Sequence, residues 1–82
     1  MEIYKGENKF YIGKEEEPLA EIKFTILNKE IYIEHTYVNG PLRGQGIAAE
    51  LVETVLDYAK ENNLKVVPVC SYVKKYLENK TE

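Results

Sequence analysis

The hydrophobic period of this chain changes once, near residue 40, and that change narrows the folds open to it. Before it, apolar residues alternate. Ala20, Ile22, Phe24 and Ile26 share one face while Glu21, Lys23 and Thr25 share the other. In 30–38, Ile31, Ile33, His35 and Tyr37 alternate with Tyr32, Glu34, Thr36 and Val38. A period of two marks half-buried strands. Asn28-Lys29 reads as a two-residue turn between them, and residues 1–5 and 9–13 as a hairpin through Gly6-Glu7-Asn8. Gly13 to Pro18 is a charged loop.

After Asn39-Gly40-Pro41 the period becomes helical. From Ile47 to Asn62, Ile47, Ala48, Leu51, Val52, Val55, Leu56, Tyr58 and Ala59 fall within one broad arc. An arc that wide suits a helix lying across a sheet. Leu64 to Cys70 is a short β-branched strand, and Ser71 is placed to cap a last helix over 72–79. About 25 residues containing a helix separate strand 30–38 from strand 64–70, so the two should run parallel with a right-handed crossover. Pro68 cannot donate a ladder hydrogen bond. If its unpaired side faces strand 30–38, the pair splays into a wedge at the carboxyl ends, where ligands of such sheets sit. The expected fold is α+β: a mostly antiparallel sheet with one parallel β-α-β pair, and two helices.

Eighty-two residues allow one domain, 1–82. Eleven basic against fourteen acidic residues give a net charge of −3, with no basic block, which argues against electrostatic binding to nucleic acid or anionic membrane. An anionic ligand must therefore be held by local donors. One cysteine excludes an internal disulfide and fits a reducing compartment. No apolar leader or membrane-length run is present, so a cytoplasmic protein is expected.

Arg43-Gly44-Gln45-Gly46-Ile47-Ala48 lies between a strand and the amphipathic helix. Glycines let backbone N–H groups turn toward a ligand, and the helix adds its unpaired N–H groups and positive dipole end. That combination makes a pyrophosphate cradle without net positive charge; the competing reading is an ordinary glycine-rich connection. A P-loop is excluded because no Lys-Ser/Thr pair follows the last glycine. A dinucleotide fingerprint is matched formally from Gly44 to Ala49, but Asn39 to Arg43 separate it from the strand, and Cys70-Ser71 stand where an acidic residue belongs.

The stretch from Val38 to Ala48 resembles the acyl-CoA segment of the GNAT superfamily of N-acetyltransferases, Gln/Arg-x-x-Gly-x-Gly/Ala, with Arg43, Gly46 and Ala48 at the fixed positions. His35-Thr36-Tyr37-Val38, Leu42 to Ile47 and Lys65 to Cys70 resemble a minimal subfamily of about this length. The resemblance implies that acetyl-CoA is the co-substrate, with no metal, and that the acetyl group passes to an amine acceptor the sequence does not identify. It implies that backbone groups of Thr36, Tyr37 and Val38 bond the pantetheine arm. Amides of Arg43, Gly44, Gln45, Gly46, Ile47 and Ala48 would hold the pyrophosphate, and the thioester would lie near Cys70. This chain departs from larger members in lacking the elements that shape their acceptor pocket. Cys70 replaces an asparagine usual near the end of the last strand. Tyr72 and Tyr76 are alternative counterparts of a tyrosine general acid.

His35 and Cys70 are the two candidate catalytic side chains. Alternation puts His35 on the face of Ile31 and Ile33, either as a core histidine or as a base, since imidazole exchanges protons near neutral pH. Cys70 stands where a strand meets a helix start, a position that favours thiolate; it is either a small core residue, an acid for the departing thiolate or an acyl acceptor. Parallel neighbouring strands should bring the two together. The alternatives to an N-acetyltransferase are a non-catalytic acyl-CoA-binding module, which needs the cradle but neither side chain, and an interaction module, in which the glycines are structural. A monomer or weak homodimer is expected.

Overall fold

The computed structural model describes residues 1–80; residues 81 and 82, the end of the expected domain, lie outside the described residues. Strands β1 (Tyr4–Gly6), β2 (Lys9–Gly13), β3 (Pro18–Leu27) and β4 (Glu30–Val38) form an antiparallel meander. Helix α1 (Ile47–Glu61) then crosses to β5 (Lys65–Pro68), which pairs parallel to β4, and α2 (Ser71–Lys80) follows. The sheet order is β1-β2-β3-β4-β5. The turns are local chemistry: Asn8, Asn28 and Lys29 take left-handed φ values, and Asn28-Lys29 has the positive pair a tight hairpin needs. Asn63, also left-handed, stops α1.

Both helices lie on one side of the sheet. Phe10, Ile12, Ala20, Ile22, Phe24, Ile31 and Ile33 meet Ile47, Leu51, Val52, Val55 and Ala59 of α1, and Val73 of α2, in one buried cluster. The five α1 residues belong to the predicted arc. The opposite sheet face mixes charged side chains with exposed Leu27 and Tyr37, and there Glu21 is bridged by Lys9 at 3.4 Å and Lys23 at 3.8 Å. Among the described residues, no helix is long and apolar enough to cross a membrane.

Two expectations need correction. Phe24 pairs with Ile33 but Lys23 pairs with His35, so Glu34 is an extra residue, a β-bulge. Beyond it the alternation inverts: Thr36, paired with Ile22, and Val38, paired with Ala20, face the helices, while His35 and Tyr37 face out and are exposed. His35 is therefore not on the face of Ile31 and Ile33. Strand β5 is also shorter than 64–70. Its ladder ends at Pro68, and the N–H groups of Val69 and Cys70 both converge on the Ile33 carbonyl, at 2.9 and 3.0 Å.

Candidate functional site

Because β5 ends beside Ile33, the rest of β4 runs on to Val38 without a neighbour on that side. Asn39 N–H bonds Leu19 of β3 at 2.9 Å. Backbone groups alternate sides along a strand, so those of Thr36 and Val38 point into the gap. A gap opens where the wedge was expected, but its cause differs. The Val69 N–H faces β4 and the Pro68 nitrogen faces away, so the gap comes from the end of β5 rather than from proline's missing donor.

One wall of the wedge is the loop from Asn39 to Gly46. Gly44 and Gly46 have φ of 79° and 77°, a region that strains any residue with a Cβ, and no heavy atom lies within 4 Å of where a Cβ would be. Gly46 is the N-cap of α1 and makes no side-chain cap; its carbonyl accepts the first helical bond, from Glu50 N–H at 3.1 Å. The amides of Ile47, Ala48 and Ala49 consequently have no partner within the helix. The loop side chains fold back on the chain. Arg43 Nε donates to the Val38 carbonyl at 3.0 Å and Gln45 Nε2 to the Pro41 carbonyl at 3.2 Å.

A cleft of about 320 Å³ opens here. Val38, Leu42, Ile47, Ala48 and Ala49 make its apolar lining, Arg43, Gly44 and Gly46 its glycine-rich side, and Tyr72 of α2 closes it. Of the predicted site residues, Val38, Arg43, Gly44, Gly46, Ile47 and Ala48 meet in this cleft. Gln45, Thr36, Tyr37, Cys70 and His35 are outside its lining. Ala49 was not foreseen; the Ala48-Ala49 pair of small residues in the first helical turn is the signal that points to it.

Cys70 sits across the gap from β4, partly buried against the core, and also has a capping role. Its carbonyl accepts the first bond of α2, from Lys74 N–H at 3.0 Å, so Cys70, not Ser71, is the N-cap. Its sulfur takes the position of a capping oxygen. Burial pushes the thiol pKa up, but N–H donors of Val73, Tyr72 and Thr36 and the Thr36 hydroxyl, 3.7 Å away, outweigh it and hold the pKa below the ordinary thiol value. The expected pairing of His35 with Cys70 is absent: the bulge gives Thr36 that place. The two tyrosines also separate. Tyr76 donates its hydroxyl to Glu53 of α1, and that carboxylate pushes its pKa up to about 12. Its proton is committed away from the cleft, which Tyr72 lines.

Among the described residues, no three His, Cys, Asp or Glu side chains gather as a metal site. Protein NATD1 of Xenopus tropicalis is 36% identical over 50 residues, 61% of this chain and 46% of that protein. Protein NATD1 of Mus musculus is 39% identical over 46 residues, 56% of this chain and 42% of that one. The matches thus span less than half the length of these relatives. A GCN5-like protein from Staphylococcus aureus, solved in solution by NMR, superposes with a TM-score of 0.81 at 48% identity, over 96% of this chain and 79% of that chain. The GCN5-related N-acetyl-transferase family model matches residues 9–82, from β2 through the bulged β4, the glycine loop and both helices. With sequence and fold agreeing over that span, the chain belongs to the GCN5-related N-acetyltransferase family.

Proposed function

We propose that this protein binds acetyl-CoA in the wedge between β4 and α2 and transfers the acetyl group to an amine. The observation that carries the reading is the pair of left-handed glycines with open space before them, at the start of a helix whose first amides are free. Such a cradle suits a pyrophosphate, and the apolar cleft beside it suits a pantetheine arm. Amides of Gly44, Gly46, Ile47 and Ala48 would hold the phosphates. The Thr36 carbonyl and the Val38 N–H, which the bonds of the Thr36 N–H to Cys70 and of Arg43 to the Val38 carbonyl leave open, would bond the arm as an added strand does. Bound acetyl-CoA supplies a thioester, an acetyl group already activated toward attack. The chain's own contribution is to orient it, exclude water with Val38, Ile47 and Tyr72, and hold a proton-exchanging thiol at Cys70.

A second reading, an acyl-CoA-binding module without turnover, is favoured by one observation: capping α2 already accounts for Cys70, and His35 faces away. Release of free CoA thiol from acetyl-CoA, measured against a broad panel of amines, decides between them. Amine-dependent release supports transfer. Binding without release for every amine supports the module.

A further inference from the structure

The cleft wall formed by Tyr72 belongs to a helix that packs one face on the core and carries a polar tie beside it. Val73 is the one α2 side chain in the buried class among the described residues. Tyr76 and Leu77 pack against the same core but stay partly buried, and Tyr76 adds a polar contact to its apolar one. Tyr72, Tyr76 and Lys80 recur at four-residue spacing and form one stripe along α2. The lower two members both bind Glu53 of α1: the Tyr76 hydroxyl donates to its carboxylate, and Lys80 Nζ lies 2.6 Å from the same oxygen. The upper member follows, because the rings of Tyr72 and Tyr76 stack at 6.4 Å with 30° between planes. From this arrangement we infer that Glu53 and Tyr76 are positioning residues, which turn α2 so that Tyr72 stands as the wall of the cleft.

This rests on the acetyl-CoA reading for its functional consequence, but the geometry stands without it. Glu53 sits near the middle of α1, whose first turn forms the cradle, so one carboxylate ties the ligand-cradling helix to the helix that closes the opposite side. The tie is polar and partly exposed, and Lys80 contributes a screened ion pair of small energy. Its role is orientation more than stability.

The test uses Tyr76→Phe, which keeps the ring and removes the hydroxyl, Glu53→Ala, and Glu53→Gln, which keeps an acceptor. Each is measured for acetyl-CoA affinity by calorimetry, for Tyr72 ring-proton shifts by NMR without ligand, and for Tm. Tyr76→Phe and Glu53→Ala should move the Tyr72 resonances and weaken affinity about fivefold, less than loss of a whole charged hydrogen bond at the ligand. Glu53→Gln should stay within about twofold of the parent. A lowered Tm with unmoved Tyr72 resonances and unchanged affinity would overturn the inference and leave the tie purely structural. If the parent itself binds no acetyl-CoA, the functional reading fails, and the Tyr72 resonances alone still decide whether Tyr76 positions that ring.

Discussion

At the scale of the residue, Cys70 caps α2 and is proposed to serve the reaction, and different substitutions separate the two. As the N-cap of α2 its sulfur accepts backbone N–H bonds, and serine performs that task at least as well. Cys70→Ser should therefore leave Tm and acetyl-CoA affinity close to the parent, whereas Cys70→Ala should cost about 1 kcal/mol in chemical denaturation, the scale of a lost cap. If the thiol also serves the reaction, both variants should slow transfer a hundredfold or more, the scale of a positioned proton-transfer group. Transfer at the parent rate in Cys70→Ser would reduce Cys70 to a cap. Its titration supplies an independent check. A depressed folded-state pKa means thiolate persists to lower pH than in an unfolded chain. The rate of iodoacetamide alkylation should rise with pH through a midpoint below that of the same protein in denaturant; a higher midpoint would mean that burial outweighs the donors. His35→Ala should leave transfer unchanged within about twofold, far short of the loss a general base would give.

At the scale of the element, what the sequence made legible follows from periodicity. The alternation of Ala20, Ile22 and Phe24 and the arc of α1 are long patterns in which each residue repeats the same message, and both hold in the structure. The bulge at Glu34 was not legible. It inserts one polar residue into a stretch, Glu34-His35-Thr36, with no strongly apolar side chain to mark the core face, and one insertion exchanges the faces of everything after it. That single event moved Thr36 to the thiol and His35 to solvent. The cap was missed for a related reason: Ser71 is the stronger capping type, and only the termination of β5 at Pro68 starts the helix one residue earlier. The glycine loop, by contrast, was legible, because Gly44 and Gly46 are the residue type its conformation demands. Gly46→Glu tests it as an element. The substitution strains a left-handed position by about 1–2 kcal/mol and puts a carboxylate where phosphates are proposed to lie. The domain should remain folded, with no Cβ clash to accommodate, while acetyl-CoA affinity falls at least tenfold, about 1.4 kcal/mol. Binding at parental strength would move the cradle elsewhere.

At the scale of the whole molecule, a two-layer arrangement concentrates the available chemistry at one end of the sheet. Both helices start at that end: α1 at Gly46 and α2 at Cys70, on either side of the gap left when β5 stops short of β4. Two helix starts facing one gap bring partial positive charge to a protein of net charge −3. They do so through short-range dipoles that leave the overall field negative, an arrangement that suits the proposed anionic ligand in a sequence with no basic block. The central claim is that acetyl-CoA binds there. Titration of the isotopically labelled protein, followed by backbone amide shifts, tests it most directly. The account predicts a Kd below about 1 mM, a binding free energy of roughly −4 kcal/mol or better, with shifts concentrated in Thr36 to Val38, Gly44 to Ala49 and Tyr72. No shifts at several times that concentration, or shifts confined to the outer sheet face around Tyr11, Glu21 and Tyr32, would contradict it.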